Sequence, residues 1–191
     1  MNYKAIIFDF FGVISSEVGL FWFKKYFPED QIDHLKEKYI LPADLGDISY
    51  DQFITQIGSL VGISPSDVKK EWKNRVVIND SIVSFIQKVQ GSFKIGLLSD
   101  APSEFLRPLL RENVLENLFD AIVISSEVKI TKREEEIYKL ILNKLEVDPP
   151  QAIFVDDNVN NIKIAESLGI KGYLYNAGTD SIQDFVKTLN I

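Results

Sequence analysis

Ala5-Ile6-Ile7-Phe8-Asp9-Phe10-Phe11-Gly12-Val13 is an apolar run that stops at a single carboxylate and then turns at a glycine. Runs of this kind, rich in Ile, Val and Leu with no polar alternation, read as strands covered on both faces, the habit of parallel sheets. Five of them punctuate the chain: Lys4 to Phe8, Phe93 to Leu98, Ala121 to Ile124, Ala152 to Val155 and Gly172 to Tyr175. From the second run onward each is followed by a segment with helical periodicity, so the pattern reads as an α/β fold with a doubly wound, Rossmann-like parallel sheet.

Residues 9–92 separate the first run from the second, several times the spacing between the others, so extra structure is inserted there. The inserted stretch carries helix-like patterns and no good strand run. In Tyr50 to Val61 the apolar Phe53, Ile57, Leu60 and Val61 fall at i, i+4, i+7 and i+8, which is one helix face. Ser64-Pro65-Ser66-Asp67 opens another helix, with proline at a permitted early position and Ser or Asp available as a cap. The expected organisation is an α/β core domain of residues 1–14 and 79–191, with a helical cap over residues 15–78.

Composition sets bounds on function. The 191 residues are 46% hydrophobic, 12% aromatic and 26% charged, as in an ordinary globular protein. A net charge of −7 argues against a nucleic-acid partner, which would require clustered Lys and Arg. There is no cysteine, which excludes thiol catalysis, disulfides and thiolate metal sites, and His34 is the only histidine. No stretch approaches a membrane span, and the start Met-Asn-Tyr-Lys-Ala lacks the apolar region of a signal peptide, so a cytoplasmic location is expected. Oligomeric state is not readable from the sequence.

In a doubly wound sheet, ligands bind beyond the carboxyl ends of the strands. Four strand ends are polar here: Asp9, then Ser99-Asp100, then Ser125-Ser126 leading to Lys132, then Asp156-Asp157. Several carboxylates in one cleft raise one another's pKa unless a cation intervenes. Mg²⁺ takes one or two carboxylates together with substrate phosphate oxygens, which suits Asp9 with Asp157 and points to phosphoryl chemistry.

The four segments Phe8-Asp9-Phe10-Phe11-Gly12-Val13, Leu97-Leu98-Ser99-Asp100, Ser125 to Tyr138 with Lys132 inside it, and Phe154-Val155-Asp156-Asp157-Asn158-Val159-Asn160-Asn161-Ile162 together resemble the haloacid dehalogenase-like hydrolases. The resemblance spans nearly the whole chain. The helical insertion looks like the cap of the branch holding the dehalogenases, the soluble epoxide hydrolase N-terminal domain and alpha-glucose-1-phosphate phosphatase. What it implies is a Mg²⁺-dependent phosphatase of small phosphorylated metabolites. Asp9 would attack the substrate and become an aspartyl-phosphate. Ser99 would donate to the transferring phosphoryl group, with Asp100 beside it in the substrate site. Lys132 would neutralise phosphate charge and orient Asp9, while Asp9, Asp157, Asp156 and the backbone carbonyl of Phe11 would hold the metal.

The departures from the family pattern are Phe11, where most of its phosphatases carry an acid, Asp100 in place of Asn, Lys129 in place of Gly, and Arg133 in place of Pro. Two other readings therefore stand beside the phosphatase: a metal-independent dehalogenase, for which the Asp156-Asp157 pair would be surplus, and a catalytically weak phosphate-ligand binder or interaction protein. Asp100 and Lys129 are expected to pair, or Asp100 to supply the missing acid. The aromatic segment of Phe21, Trp22, Phe23, Tyr26 and Phe27 reads mainly as core, with some rings available to a pocket under the cap. His34 is expected to be an exposed bystander.

Overall fold

In the computed structural model, which describes residues 3–177 and 182–189, every side chain of β1 (Ala5–Phe8) is fully buried, as a run without polar alternation demands. The outermost residues of the expected core segments lie outside that description. Four further strands, β2 (Lys94–Ser99), β3 (Ala121–Ile124), β4 (Ala152–Asp156) and β5 (Lys171–Leu174), pair with it in the order β3-β2-β1-β4-β5, all parallel. All five expected runs are strands, displaced by a residue or two at their ends.

The strand order reverses at β1. From there the chain winds outward through β2 and β3, then returns to place β4 on the other side, so the switch point lies between the carboxyl ends of β1 and β4. That is where an open parallel sheet leaves a crevice.

The insertion holds α1 (Gly19–Tyr26), α2 (Glu29–Leu35), a π-helical turn at Lys36–Ile40, α3 (Leu41–Asp44), α4 (Tyr50–Val61) and α5 (Pro65–Arg75). It leaves and rejoins the core through one short paired segment: Ser16 N donates to Val77 O at 2.9 Å, Val77 N to Ser16 Oγ at 3.0 Å and Asn79 N to Ile14 O at 2.8 Å. The core continues with α6 (Asp80–Val89), α7 (Ser103–Glu112), α8 (Ser125–Val128), α9 (Glu135–Leu145), α10 (Val159–Ser167) and α11 (Ile182–Leu189). Ile6 and Phe8 face a cluster built with α6, α7 and the cap, whereas Ala5 and Ile7 face one built with α9 and α10. Both faces of the sheet are therefore covered.

Local chemistry sets the cap helices. Ser49 and Gln52 form a reciprocal capping box at the start of α4, and Gly62 ends it in the left-handed conformation at φ +69°. Ser64 accepts from Asp67 N at 3.2 Å ahead of Pro65, as its motif predicts. The buried face of α4 differs from the expected one. Phe53, Ile54, Ile57 and Gly58 point inward and Leu60 is exposed, because Gly58 lets α5 approach closely: a Cβ there would meet Val68 at 3.1 Å.

Candidate active site

At the switch point Asp9 immediately follows β1 and Asp156 closes β4. Lys132, from the loop after α8, lies between them with its Nζ 2.8 Å from Asp9 Oδ2 and 2.7 Å from Asp156 Oδ2. The side chains of Asp9, Lys132 and Asp156 are only 8%, 3% and 0% exposed, so the charged run around Lys132 is not a solvated face at this position. Asp156 is saturated by protein donors. It accepts from Lys132, from Asn158 N at 2.7 Å and from Asn161 Nδ2 at 3.1 Å.

Asp157 projects from the same turn toward the loop after β1. Gly12 adopts φ +90°, and a Cβ there would fall 2.2 Å from Asp157 Oδ2, so only glycine lets the two loops meet this closely. Carboxylate oxygens of Asp9, Asp156 and Asp157 lie within 4.8 Å of one another.

Three acids around one ammonium leave an excess of negative charge. Burial pushes the Asp9 carboxyl well above the usual range; Lys132 opposes that shift, while Asp156 and Asp157 add to it. Burial likewise raises Asp157, to about 6, with Asp156 contributing. Burial alone would lower Lys132, but Asp156, Asp9 and Asp100 outweigh it and hold the ammonium above the ordinary lysine range. The donor set, hard oxygen ligands with surplus negative charge, fits Mg²⁺.

Ser99 ends β2 fully buried, and among the described residues its Oγ has no hydrogen-bond partner. A buried hydroxyl in that state costs free energy unless something else satisfies it. Asp100, next along, accepts the backbone N–H of Lys132 at 3.0 and 3.2 Å through its two oxygens, and so fixes the loop that carries the lysine.

The expected pairing of Asp100 with Lys129 does not occur. Lys129 instead donates to Gly46 O and approaches Asp47 at 3.8 Å, reaching across to the cap. Lys129 sits at φ +60°, a conformation that glycine adopts without strain. Arg133 also reaches the cap, donating to both oxygens of Glu37 at 2.9 and 2.5 Å. Two departures from the family pattern are thus cap-to-core links.

Lys129→Gly would remove the backbone strain together with the link. The expected result is a change in global stability of no more than about 1 kcal/mol, since the two effects oppose. Hydrogen exchange at Leu45, Gly46 and Asp47, whose amides donate within the same turn, should nevertheless accelerate. Unchanged exchange there would mean that Lys129 does not fasten the cap.

Phe11, the third departure, stacks on Phe105 of α7 with centroids 5.8 Å apart and planes 5° from parallel. Phe105 in turn stacks on Tyr50 at 5.1 Å and meets Trp72 edge-on at 5.6 Å. This aromatic column joins the loop after β1 to the cap. Phe11, Trp72 and Phe105 of this column, with Phe53, form one wall of a cavity of about 890 Å³, whose other walls include Asp9, Asp44, Asp100, Lys132 and Asp157. None of the aromatic residues from Phe21 to Phe27 lines it. Trp22 and Phe23 are core, and Phe21 is 51% exposed. His34 is exposed, as expected.

A family model for haloacid dehalogenase-like hydrolases matches residues 3–169. The chain belongs to that family. As a haloacid dehalogenase-like hydrolase it is 26% identical to D-ribitol-5-phosphate phosphatase of Bacteroides thetaiotaomicron, with 98% of each chain covered. It is 24% identical to the phosphorylated carbohydrates phosphatase of Thermotoga maritima, over 88% of this chain and 82% of that one. Among solved structures, a family enzyme from Bacteroides thetaiotaomicron in complex with magnesium and inorganic phosphate superposes with a TM-score of 0.77 at 25% identity, covering 96% of this chain and all of the other. A predicted family hydrolase from Porphyromonas gingivalis shares the fold, with a TM-score of 0.82 at 22% identity and full coverage of both chains. Among the described residues no helix is long and apolar enough to cross a membrane.

Proposed function

We propose that this hydrolase is a Mg²⁺-dependent phosphatase of small phosphorylated metabolites, with residues 15–78 as its cap and Asp9 as the phosphoryl acceptor. The observation that carries the reading is the grouping of Asp9, Asp156 and Asp157 around the single ammonium of Lys132. That arrangement leaves room in the charge balance for one divalent cation. A dehalogenase mechanism, which needs no metal, gives the surplus carboxylate of Asp157 no task.

In this reading Asp9 and Asp157, together with the carbonyl of Phe11, would hold the ion, which would supply positive charge against the phosphoryl oxygens. Asp156, whose oxygens already accept from protein groups, serves by holding Lys132. The ammonium favours the ionised form of Asp9 against the upward shift of burial and aims it, through its 2.8 Å contact with Oδ2, while Phe10 N donates to Oδ1 at 2.6 Å. The unpartnered hydroxyl of Ser99 is available to a phosphoryl oxygen. Asp100 serves the substrate site by fixing the Lys132 loop. The cavity has the size of a small-molecule site, and the relatives named for phosphorylated carbohydrates point to sugar and polyol phosphates as the first compounds to test.

The test is phosphate release from p-nitrophenyl phosphate and a panel of sugar and polyol phosphates, with and without Mg²⁺. Metal-dependent release that Asp9→Asn stops supports the phosphatase. Phosphate binding without release would support the non-catalytic alternative, and metal-independent release of halide from haloacids the dehalogenase.

The raised carboxyl groups also set the pH dependence of stability. For Asp9, Asp44, Asp100 and Asp157 the folded pKa lies above the unfolded one. Between the ordinary carboxylate value and the folded value the native state therefore binds more protons than the unfolded chain. Their stabilising contribution is complete below the unfolded pKa and is lost as pH rises through the folded one, which for Asp157 is about 6. Lys132, raised above its usual range, loses its contribution only above that range. Glu37, held low by Arg133, works the other way but only as pH falls below the ordinary glutamate value. The metal-free protein should accordingly show a melting temperature that declines from pH 5 to 7.5, and added Mg²⁺ should raise it most at pH 7.5. A melting temperature that climbs over that interval without metal would contradict this account.

A further inference from the structure

Phe11 cannot move a proton, and its ring is held in the aromatic column against Phe105. Asp100 does not offer a free carboxyl either, because both of its oxygens accept the Lys132 amide. Asp9, Asp156 and Asp157 are engaged with the ammonium and the proposed ion. The acid that serves the leaving group must then come from elsewhere on the cavity wall.

Asp44, the last residue of α3, fits that need in three respects. Its carboxyl lines the same cavity as Asp9, from the cap side, and is half-buried. Among the described residues its side chain accepts no hydrogen bond. Its backbone is nonetheless fixed to the core: Ser125 Oγ donates to Asp44 O at 2.6 Å and itself accepts from Ala101 N at 3.0 Å, just past the end of β2. The cap residue is thereby registered against the strand ends that carry the chemistry.

Building on the phosphatase reading, we propose that Asp44 is the catalytic residue that gives the leaving oxygen its proton, supplied by the cap in place of the side chain missing at Phe11. The groups facing it are Asp100 after β2, Glu17 ahead of α1, and Lys132 and Arg133 from the loop after α8. Burial, then Asp100 and Glu17, hold the Asp44 carboxyl well above its ordinary range, against the pull of Lys132 and Arg133. A neutral acid at working pH is what donation requires.

In the first half-reaction a bond forms between an Asp9 oxygen and phosphorus as the bond from phosphorus to the leaving oxygen breaks. That oxygen takes the Asp44 proton and departs as an alcohol, leaving Asp44 ionised. In the second, a water oxygen attacks phosphorus as its bond to the Asp9 oxygen breaks, and the water passes a proton to Asp44. Hydrogen phosphate leaves, and both Asp9 and Asp44 return to their starting states.

A leaving-group comparison tests this. An alkyl phosphate requires the proton far more than p-nitrophenyl phosphate, whose phenolate is a good leaving group. In Asp44→Asn, kcat/KM for the fastest sugar or polyol phosphate in the panel should drop by about 10²-fold or more, the usual contribution of a positioned acid. The drop for p-nitrophenyl phosphate should be at least tenfold smaller, and the alkaline limb of the alkyl phosphate's pH profile should vanish. An equal fall for both substrates would reassign Asp44 to a positioning role, and no fall would exclude it. Glu17→Gln, run in parallel, would displace the proposal if it alone produced the leaving-group split. Persistence of p-nitrophenyl phosphate hydrolysis in Asp9→Asn would instead overturn the phosphatase reading itself, and this proposal with it.

Discussion

Asp9→Asn is expected to lower turnover of every phosphate ester by roughly 10³-fold or more while leaving the protein folded. The amide has nearly the shape of the carboxylate, and its single oxygen can still accept from one of the two donors, Phe10 N and Lys132, which bind different oxygens of Asp9. It lacks the charge that makes the group a nucleophile. Stability should hold or rise, because burial and the neighbouring Asp156 and Asp157 already penalise the ionised Asp9. The variant is therefore expected to melt no lower than the parent at neutral pH without metal, and to bind inorganic phosphate while releasing none from substrate. Turnover within tenfold of the parent, measured on protein shown to be folded, would remove Asp9 from the role of nucleophile.

The legibility of the site in the sequence follows how its residues are positioned. Asp9, Ser99, Asp100, Asp156 and Asp157 end or immediately follow strands whose burial on both faces leaves an uninterrupted apolar signature. Their shared location therefore followed from the sheet's handling of ligands at strand ends. Lys132 was harder to place, since Lys129-Ile130-Thr131-Lys132-Arg133-Glu134 reads as a solvent-facing charge run. The run by itself does not separate it from Lys129 and Arg133, which turn outward to the cap; the motif resemblance singles it out, and its 3% exposure agrees. What comes from the insertion was illegible. Periodicity locates α4 yet assigns Leu60 to the buried face, because the packing of α5 against Gly58 selects Ile54 instead. Phe53, Trp72 and Phe105 look like any helix-core aromatics until the cap settles over the cleft. Asp44 carries no sequence mark at all: its value lies in the contact of its backbone with Ser125, a residue far along the chain.

Lys132→Met separates the two tasks of the ammonium. Methionine fills much the same volume as the lysine stem, so little packing is lost, but Asp9 and Asp156 remain buried without a cation at 2.8 and 2.7 Å. Removing one partner of a buried ionic cluster costs about 3–5 kcal/mol when the remaining charge stays uncompensated. The Asp9 carboxyl can escape part of that cost by taking up a proton, since Lys132 no longer opposes the upward shift that burial imposes on it. The loss of stability, measured by denaturant unfolding without metal, should therefore be larger at pH 8 than at pH 5.5. A difference below about 1 kcal/mol at both pH values would show that the cluster contributes little to the fold. Function should divide differently. With one positive charge removed, the carboxylate group attracts a divalent cation more strongly, so calorimetry at pH 8 should show Mg²⁺ binding retained or tightened. Phosphoryl transfer should fail regardless, because Asp9 loses the contact that aims it and the phosphoryl group loses a neutralising charge. Joint loss of Mg²⁺ binding and turnover in folded Lys132→Met would place the lysine in the construction of the metal site instead, and would require Asp156 to be the residue that depends on it.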